Sequence, residues 1–228
     1  MEYGQFCPIA KALEVLGERW TILIVRELLV GATRFNELQR GLNLISPTIL
    51  TKRLNDLADA GVIIRKKIPG QRGHEYFLTE MGQDLMPVIK SIGVWGMRWA
   101  RGNMDNSDLD IELLMLYLQR SVQADKLPGR ETVIRFKFND IDNYSDWWLI
   151  VADHKVDVCT RDPGKDVDIY FTTNIRTMIQ VWMGDISYKS AISGGSLKLV
   201  GPSALTRDVK SWLQPSMFAG IPPADTIQ

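Results

Sequence analysis

The sequence predicts an α+β protein built as two units, a helix-rich one followed by a layer of strands and helices. Three observations predict it. Apolar residues recur at helical spacing through about the first hundred residues, interrupted by one hairpin pattern. Strand-like alternation dominates residues 132–172, and a polar stretch, residues 101–108, separates the two regimes. With 228 residues, 45% hydrophobic and 24% charged, the chain has the composition of a folded protein and the length of two domains. The expected division is 1–104 and 105–228.

The elements of the first unit follow from stripes and caps. Pro8 fits a first helical position with Cys7 as cap, and Ile9, Leu13 and Leu16 form a stripe closed by Gly17. A second helix is expected over about residues 19–30, with Ile22, Leu23, Arg26 and Leu29 at helical spacing and Gly31 ending it. Thr33 is placed to cap a short third helix holding Phe35, Leu38 and Gln39. The fourth helix is best marked. Ser46 is a good N-cap, Pro47 fits the first position, Leu50, Leu54, Leu57 and Ala58 share one side, and Gly61 stands where a closing glycine belongs. Its other side carries Thr48, Thr51, Lys52 and Asn55, with Arg53 on the flank. Residues 62–68 and 74–78 read as two strands around the turn Pro69-Gly70-Gln71-Arg72-Gly73. Thr79 then caps a long helix to about Ala100, whose Leu85, Val88, Ile92, Trp95 and Trp99 make a heptad-like seam.

In the second unit, Ile111, Leu114, Met115 and Leu118 mark a helix. Strands are expected at 132–138, 147–152, 156–160 and 167–172. Ile134, Phe136 and Phe138 share a face, as do Val156 with Val158, and Val167 with Ile169 and Phe171. Asn174 is a plausible cap for a helix with Ile175, Met178, Ile179 and Trp182. A short helix at 186–192, a strand at 196–200 and a helix at 203–213 follow, and residues from Pro215 on read as a tail. Asp140, Asp142 and Asp146 read as a solvated acidic loop.

Net charge is zero but uneven. Residues 1–104 hold 14 Lys and Arg against 10 Asp and Glu, a balance of +4, and the remainder hold 13 against 17, a balance of −4. A basic unit joined to an acidic one points to polyanion contact by the first. Two cysteines exclude a disulfide scaffold or a four-thiolate zinc site. Neither His74 nor His154 has a nucleophile or metal partner at a useful spacing, so no enzyme, cofactor or metal is expected. No apolar run approaches the roughly 20 residues of a membrane span, and no secretory signal opens the chain; a cytoplasmic protein is expected.

Helices followed by a basic, glycine-tipped hairpin and a closing helix make the pattern of a winged helix-turn-helix. A recognition helix buries one side and keeps short polar and basic side chains on the other to reach base edges and phosphates in a major groove. Lys67, Gln71 and Arg72 lie where a wing would touch backbone or minor groove.

The first unit resembles the HxlR-type winged-helix transcriptional regulators. The resemblance rests on Cys7-Pro8, Ala12-Leu13, Leu16-Gly17-Glu18-Arg19-Trp20, and the run from Gly31 through Arg34-Phe35 to Leu38. It continues with Ile45-Ser46-Pro47-Thr48-Ile49-Leu50-Thr51-Lys52-Arg53-Leu54, Glu75-Tyr76-Phe77-Leu78-Thr79 and Gly82. Glu18 and Arg19 stand where the commoner form has two glycines, and Leu44 where it has one. The resemblance implies that Ser46, Thr48, Thr51, Lys52 and Arg53 carry recognition, that Arg34 contacts the backbone, and that a homodimer binds a palindromic operator on double-stranded DNA. The seam of the closing helix, shared with the first helix, is the expected dimer face. Cys7 is a redox candidate: a helix N-terminus favours thiolate, Lys11 adds to this, and some relatives sense oxidants at the matching position.

The second unit resembles sterol carrier protein-like domains. The matching stretches are Val133-Ile134-Arg135-Phe136, Trp148-Leu149-Ile150-Val151-Ala152, Asp168-Ile169-Tyr170-Phe171-Thr172-Thr173, Met183-Gly184-Asp185-Ile186-Ser187 and residues 195–201. The resemblance implies a hydrophobic small-molecule ligand in an apolar tunnel, with Phe136, Phe138, Val158, Ile169, Phe171, Met178 and Trp182 turned inward. The same residues would equally make an ordinary core. The expected function is a sequence-specific DNA-binding regulator responsive to such a ligand. A lipid or acyl carrier that dimerises through its winged helix, or a thiol-based regulator acting through Cys7, are the alternatives.

Overall fold

The computed structural model describes residues 2–103 and 105–224. By its contacts the chain divides into Met1–Trp95 and Gly96–Gln228. The expected boundary at Met104 lies outside the described residues. No helix among the described residues is long and apolar enough to cross a membrane.

The first unit runs α1 (Pro8–Leu16), α2 (Thr21–Leu29), α3 (Phe35–Gly41), α4 (Pro47–Asp59), β1 (Ile63–Lys67), β2 (His74–Leu78), α5 (Glu80–Gln83) and α6 (Met86–Trp95). Its core gathers Ile24, Val25 and Leu28 of α2, Leu38 of α3, Leu50, Leu54 and Leu57 of α4, and Val62 and Ile63. The α2 stripe differs from expectation. Thr21, Ile24, Val25 and Leu28 are buried, while Leu23 is exposed and Ile22, Arg26 and Leu29 are only half-buried. A helix apolar on nearly every side has two candidate faces, and packing chose the other one.

Glu27, also on α2, has no solvent exposure. Its Oε1 accepts from Arg26 Nε (3.1 Å) and Nη2 (2.8 Å), and the same Nη2 donates to the carbonyl of Gly41 (3.2 Å). A side chain at Gly41 would overlap the Glu27 carboxylate, so α3 ends on a glycine through close approach. The start of α3 is held by Glu37 Oε2, which accepts from the amides of Thr33 (2.8 Å) and Arg34 (3.0 Å).

β1 and β2 pair antiparallel, from Ile63 opposite Leu78 to Lys67 opposite His74. The hairpin also joins the chain ahead of α3 through a bridge between Arg34 and Glu75 and a bond from Tyr76 N to Thr33 O (2.8 Å). The expected single closing helix is broken. α5 and α6 are separate, and Gly96–Ala100 is a π-helical turn. Pro87 lacks the amide that would reach back across the break, and Leu85 N bonds only three residues back, to Gly82 O (3.3 Å).

The second unit contains α7 (Ile111–Ser121), β3 (Glu131–Phe138), β4 (Asp146–Ala152), β5 (Lys155–Cys159), β6 (Ile169–Thr173), α8 (Ile175–Met183), α9 (Tyr188–Ser193), β7 (Leu197–Val200), α10 (Ser203–Thr206) and α11 (Val209–Trp212). Among the described residues its sheet has the order β5-β4-β3-β6-β7; β3 and β6 run parallel and the other neighbours antiparallel. The expected alternation holds: Ile134, Phe136, Phe138, Ile169 and Phe171 are fully buried beside Leu114, Met115 and Leu118 of α7, Met178 of α8 and Trp212 of α11.

Three local expectations are corrected. Asp140 is exposed, as expected of a solvated loop, yet it is also anchored: both carboxylate oxygens accept from Ile175 N (3.1 Å each), beside the Asn174 cap of α8. Asp146 accepts from Arg135 (2.8 Å), whose guanidinium lies over Trp148 and Tyr170 on the outer sheet face. The last helix is split at Asp208, which has non-helical backbone angles. The tail is packed: Ser216 is buried, its amide donates to Trp182 O (2.7 Å), and a Cβ at Gly184 would stand 2.6 Å from that of Ala219.

Two predictions follow from this packing. Gly41→Ala should destabilise the first unit by about 1–3 kcal/mol, since the added methyl enters filled space; urea unfolding with and without the substitution measures it. Burial raises the Glu37 carboxyl pKa, but the amides of Thr33 and Arg34, with Arg34 and Arg40 nearby, outweigh it and hold the group below the ordinary carboxylate range. Its stabilising effect is therefore complete above the unfolded-state pKa and is lost as pH falls through the lower folded value. Glu37→Gln should flatten that acid limb of a stability-against-pH curve.

Candidate nucleic-acid interface

α4 supplies the candidate surface. Its apolar side is sealed by Leu50, Leu54 and Leu57, and its start is fixed by Ser46, whose Oγ accepts from Ile49 N (3.3 Å). With the inner side fixed, Thr48, Thr51, Lys52 and Asn55 are left in solvent. Together with Pro47 and Asp56 they border a shallow open hollow of about 560 Å³. The Thr51 hydroxyl donates to Pro47 O (2.9 Å). Lys52 makes no ion pair among the described residues.

Arg53 is placed otherwise. Only 12% of its side chain is exposed, and its guanidinium is bound at three points within the unit, to Glu18, the Arg19 carbonyl and Asp56. Arg34 stands beside the hairpin, its Nε 3.7 Å from Glu75 Oε1, and is half-exposed. Lys67 closes β1, and Gln71 and Arg72 are exposed in the turn that follows Gly70, where φ is +68°. The structure thus gathers Ser46, Thr48, Thr51 and Lys52 on one helix face, sets Lys67, Gln71 and Arg72 at the hairpin end, and turns Arg53 inward. Sequence reasoning passed over Arg65 and Lys66, both exposed on β1, with Lys66 Nζ 5.0 Å from the Phe77 ring centre. The unbroken run Arg65-Lys66-Lys67 was the available signal.

Two apolar faces of the first unit are uncovered. On α1 only Ala10 is buried, while Ile9 is 71% exposed and Leu13 is exposed. On α6 no residue is fully buried, and Val88, Ile92 and Trp95 are exposed, Trp95 at 60%. Trp99, in the π-helical turn, is exposed as well. Cys7 caps α1 by position, but its thiol makes no capping bond.

In the second unit, the residues expected to line a tunnel are packed solid. Phe136, Phe138, Ile169, Phe171 and Met178 have no exposed surface, and Phe136 stacks on Phe171 at 4.5 Å. Trp182 is half-buried, stacked on Tyr117 at 4.8 Å, with its indole N–H donating to Ser121 Oγ (2.9 Å); Val158 is also half-buried. Open space lies elsewhere. A cavity of about 500 Å³ is bounded by Val181, Ile186 and Tyr188, by Val209 and by Pro215 and Ala219 of the packed tail. Lys189, Arg207 and Lys210 stand on it, exposed and without ion pairs among the described residues, with Asp208 the acid between them. Burial pushes the Tyr188 phenol well above its ordinary range, and its hydroxyl donates to Leu213 O (3.3 Å).

Comparison with known proteins agrees with this layout. Residues 15–104 match the HxlR-like helix-turn-helix model and residues 114–214 the SCP-2 sterol transfer family model. The uncharacterized HTH-type transcriptional regulator YvaP of Bacillus subtilis is 38% identical over 112 residues, 48% of this chain and 100% of that protein. The uncharacterized HTH-type transcriptional regulator Rv3095 of Mycobacterium tuberculosis is 43% identical over 89 residues, 39% of this chain and 56% of that one, so the chain spans little more than half the mycobacterial relative's length. Among solved structures, the reduced form of the transcriptional regulator YodB from Bacillus subtilis is 32% identical, with a TM-score of 0.36 over 40% of this chain and 92% of that one. With a relative matched over its whole length, and a second unit that fits the SCP-2 model joined behind it, the chain belongs to the HxlR-like helix-turn-helix family.

Proposed function

We propose that this protein is a sequence-specific transcriptional regulator that binds double-stranded DNA as a homodimer and has no enzymatic role. The observation that carries the reading is α4: a helix sealed on one side, capped at Ser46, with Thr48, Thr51, Lys52 and Asn55 in solvent on the other. Side chains of that length and polarity suit base edges and phosphates in a major groove. Lys67, Gln71 and Arg72 extend the contact through the hairpin, and Arg34 adds a backbone contact. The regulators named among its relatives support the same reading.

The dimer rests on uncovered apolar area. Leaving Ile9, Leu13, Val88, Ile92 and Trp95 in water costs about 25 cal/mol for each Å² of apolar surface, which a second copy would recover. A two-fold dimer reads two half-sites about one helical turn, roughly 34 Å, apart or a multiple of it. DNase footprinting on its own upstream region should show paired, sequence-dependent protection that weakens steeply with salt. Lys52→Ala should cost roughly 1–3 kcal/mol if Lys52 reads a base, and Ile92→Glu should give a monomer in sedimentation and lose the paired footprint. Protection indifferent to sequence would defeat the regulator reading.

We place the small-molecule site in the cavity beside α8, α9 and the packed tail. Its apolar wall and three cations, which make no ion pair among the described residues and outnumber the one acid, Asp208, suit a small amphipathic anion. Binding would bias the dimer only through a difference in affinity between two states. Calorimetric titration with decanoate should release heat, Arg207→Gln with Lys210→Gln should weaken binding, and decyl maltoside should be insensitive to that change. Decanoate binding left untouched by the charge change would reject this site.

A further inference from the structure

Arg53 projects from the recognition helix yet faces away from solvent. Its Nη2 donates to Glu18 Oε2 at 2.5 Å, its Nε to the Arg19 carbonyl at 3.1 Å and its Nη1 to Asp56 Oδ2 at 2.9 Å. Every nitrogen of the guanidinium therefore has an acceptor, and two of the three lie more than thirty residues earlier in the chain. A DNA phosphate would have to displace a carboxylate already in a short charge-assisted bond. Such a group is spent as a structural tie and not offered as a free cation.

The tie ends on an unusual piece of backbone. Trp20 has φ +79°, a left-handed conformation that an aromatic residue rarely adopts, and it forms the turn between α1 and α2. Conformations of this kind persist only where the surroundings over-determine them. Here the Arg19 guanidinium lies 5.1 Å from the Trp20 ring centre, the Trp20 side chain packs on the core, and Arg53 grips the Arg19 carbonyl one residue before. Glycine at position 18 would supply no carboxylate to complete the grip.

We propose that Arg53 and Glu18 form a positioning pin that fixes the recognition helix against the α1–α2 turn, and that Arg53 makes no DNA contact. The inference rests on the regulator reading. In a dimer built on α1, the pin would set where each α4 stands relative to the two-fold axis, and so which half-site spacing is accepted. Glu18 and Arg53 are then spacing determinants that touch no base.

The test uses the full chain with Glu18→Gln, Arg53→Gln and the double substitution, on the upstream fragment that the wild type footprints. The expected result has three parts. The slope of log affinity against log salt stays at the wild-type value in Arg53→Gln, where a lost phosphate contact would reduce it by about 0.9. Discrimination against the same fragment with one base pair inserted at its centre falls in both single variants, and the double variant is no worse than either. Lys52→Ala, the control, changes affinity without changing spacing discrimination. A slope reduced by about 0.9 in Arg53→Gln, or spacing discrimination intact in both variants, would overturn the assignment. Thermal melts of the same four proteins decide the pin without DNA: losses that fail to add support it, and strictly additive losses reject it. A wild type that footprints nothing removes the regulator reading and the spacing role with it, while the melts still judge the tie.

Discussion

A carboxylate with no access to water lies under the turn of the helix-turn-helix, and the placement of the recognition helix depends on it. A buried, unpaired charge is costly, so Glu27 must keep the Arg26 guanidinium against it, and that guanidinium in turn holds the Gly41 carbonyl at the end of α3. Gly41 has no side chain because the carboxylate fills the space one would need. The chain leaving α3 then buries Leu42 and Ile45 and delivers Ser46 to cap α4. Pulling α3 away would cost Arg26 its bond to the Gly41 carbonyl and open the close packing of Gly41 on the Glu27 carboxylate.

Once α4 is set, its outward residues have no freedom about which way they face. Leu50, Leu54 and Leu57 fill the core, and helical geometry then leaves Thr48, Thr51, Lys52 and Asn55 in solvent. Arg53 lies on the flank between these two sides, and its direction is decided by which acceptors come near. Glu18 and the Arg19 carbonyl are near, so a side chain that reads in sequence as part of a basic face becomes part of the scaffold. α1 shows the converse. Ala10 is its one buried residue, Val15 and Leu16 are half-buried, and Ile9 and Leu13 are left bare, so its apolar residues are divided between its own unit and solvent.

The second unit divides its apolar residues differently. The inner sheet face is filled by rings, with Phe136 stacked on both Phe138 and Phe171 and Trp212 edge-on to Phe171. Aromatic rings meeting at these distances leave no room for a guest in the middle of the layer. Space remains at the margin, where the segment after α11 folds back across α8 and meets Gly184. Lys189, Arg207 and Lys210 at that margin outnumber the one acid there, Asp208, which gives the cavity a chemistry that the layer itself lacks.

Features set by neighbours in sequence were legible without the structure. Ser46 and Pro47 begin α4, Gly61 ends it, Asn174 caps α8, and the alternation at Ile134, Phe136 and Phe138 names the buried sheet face, because caps and periodicity are properties of a few consecutive residues. What tertiary structure alone decided are choices among partners far apart in the chain. It selected Ile24 and Leu28 over Ile22 and Leu29 on an all-round apolar helix, and paired Arg53 with Glu18 across more than thirty residues. It also sent Asp140 to the start of α8, packed the tail over Trp182, and filled with rings the place where a tunnel was expected. Hydrophobic pattern states which residues leave water; whether they meet each other or enclose a space depends on shapes that only the assembled layers bring together.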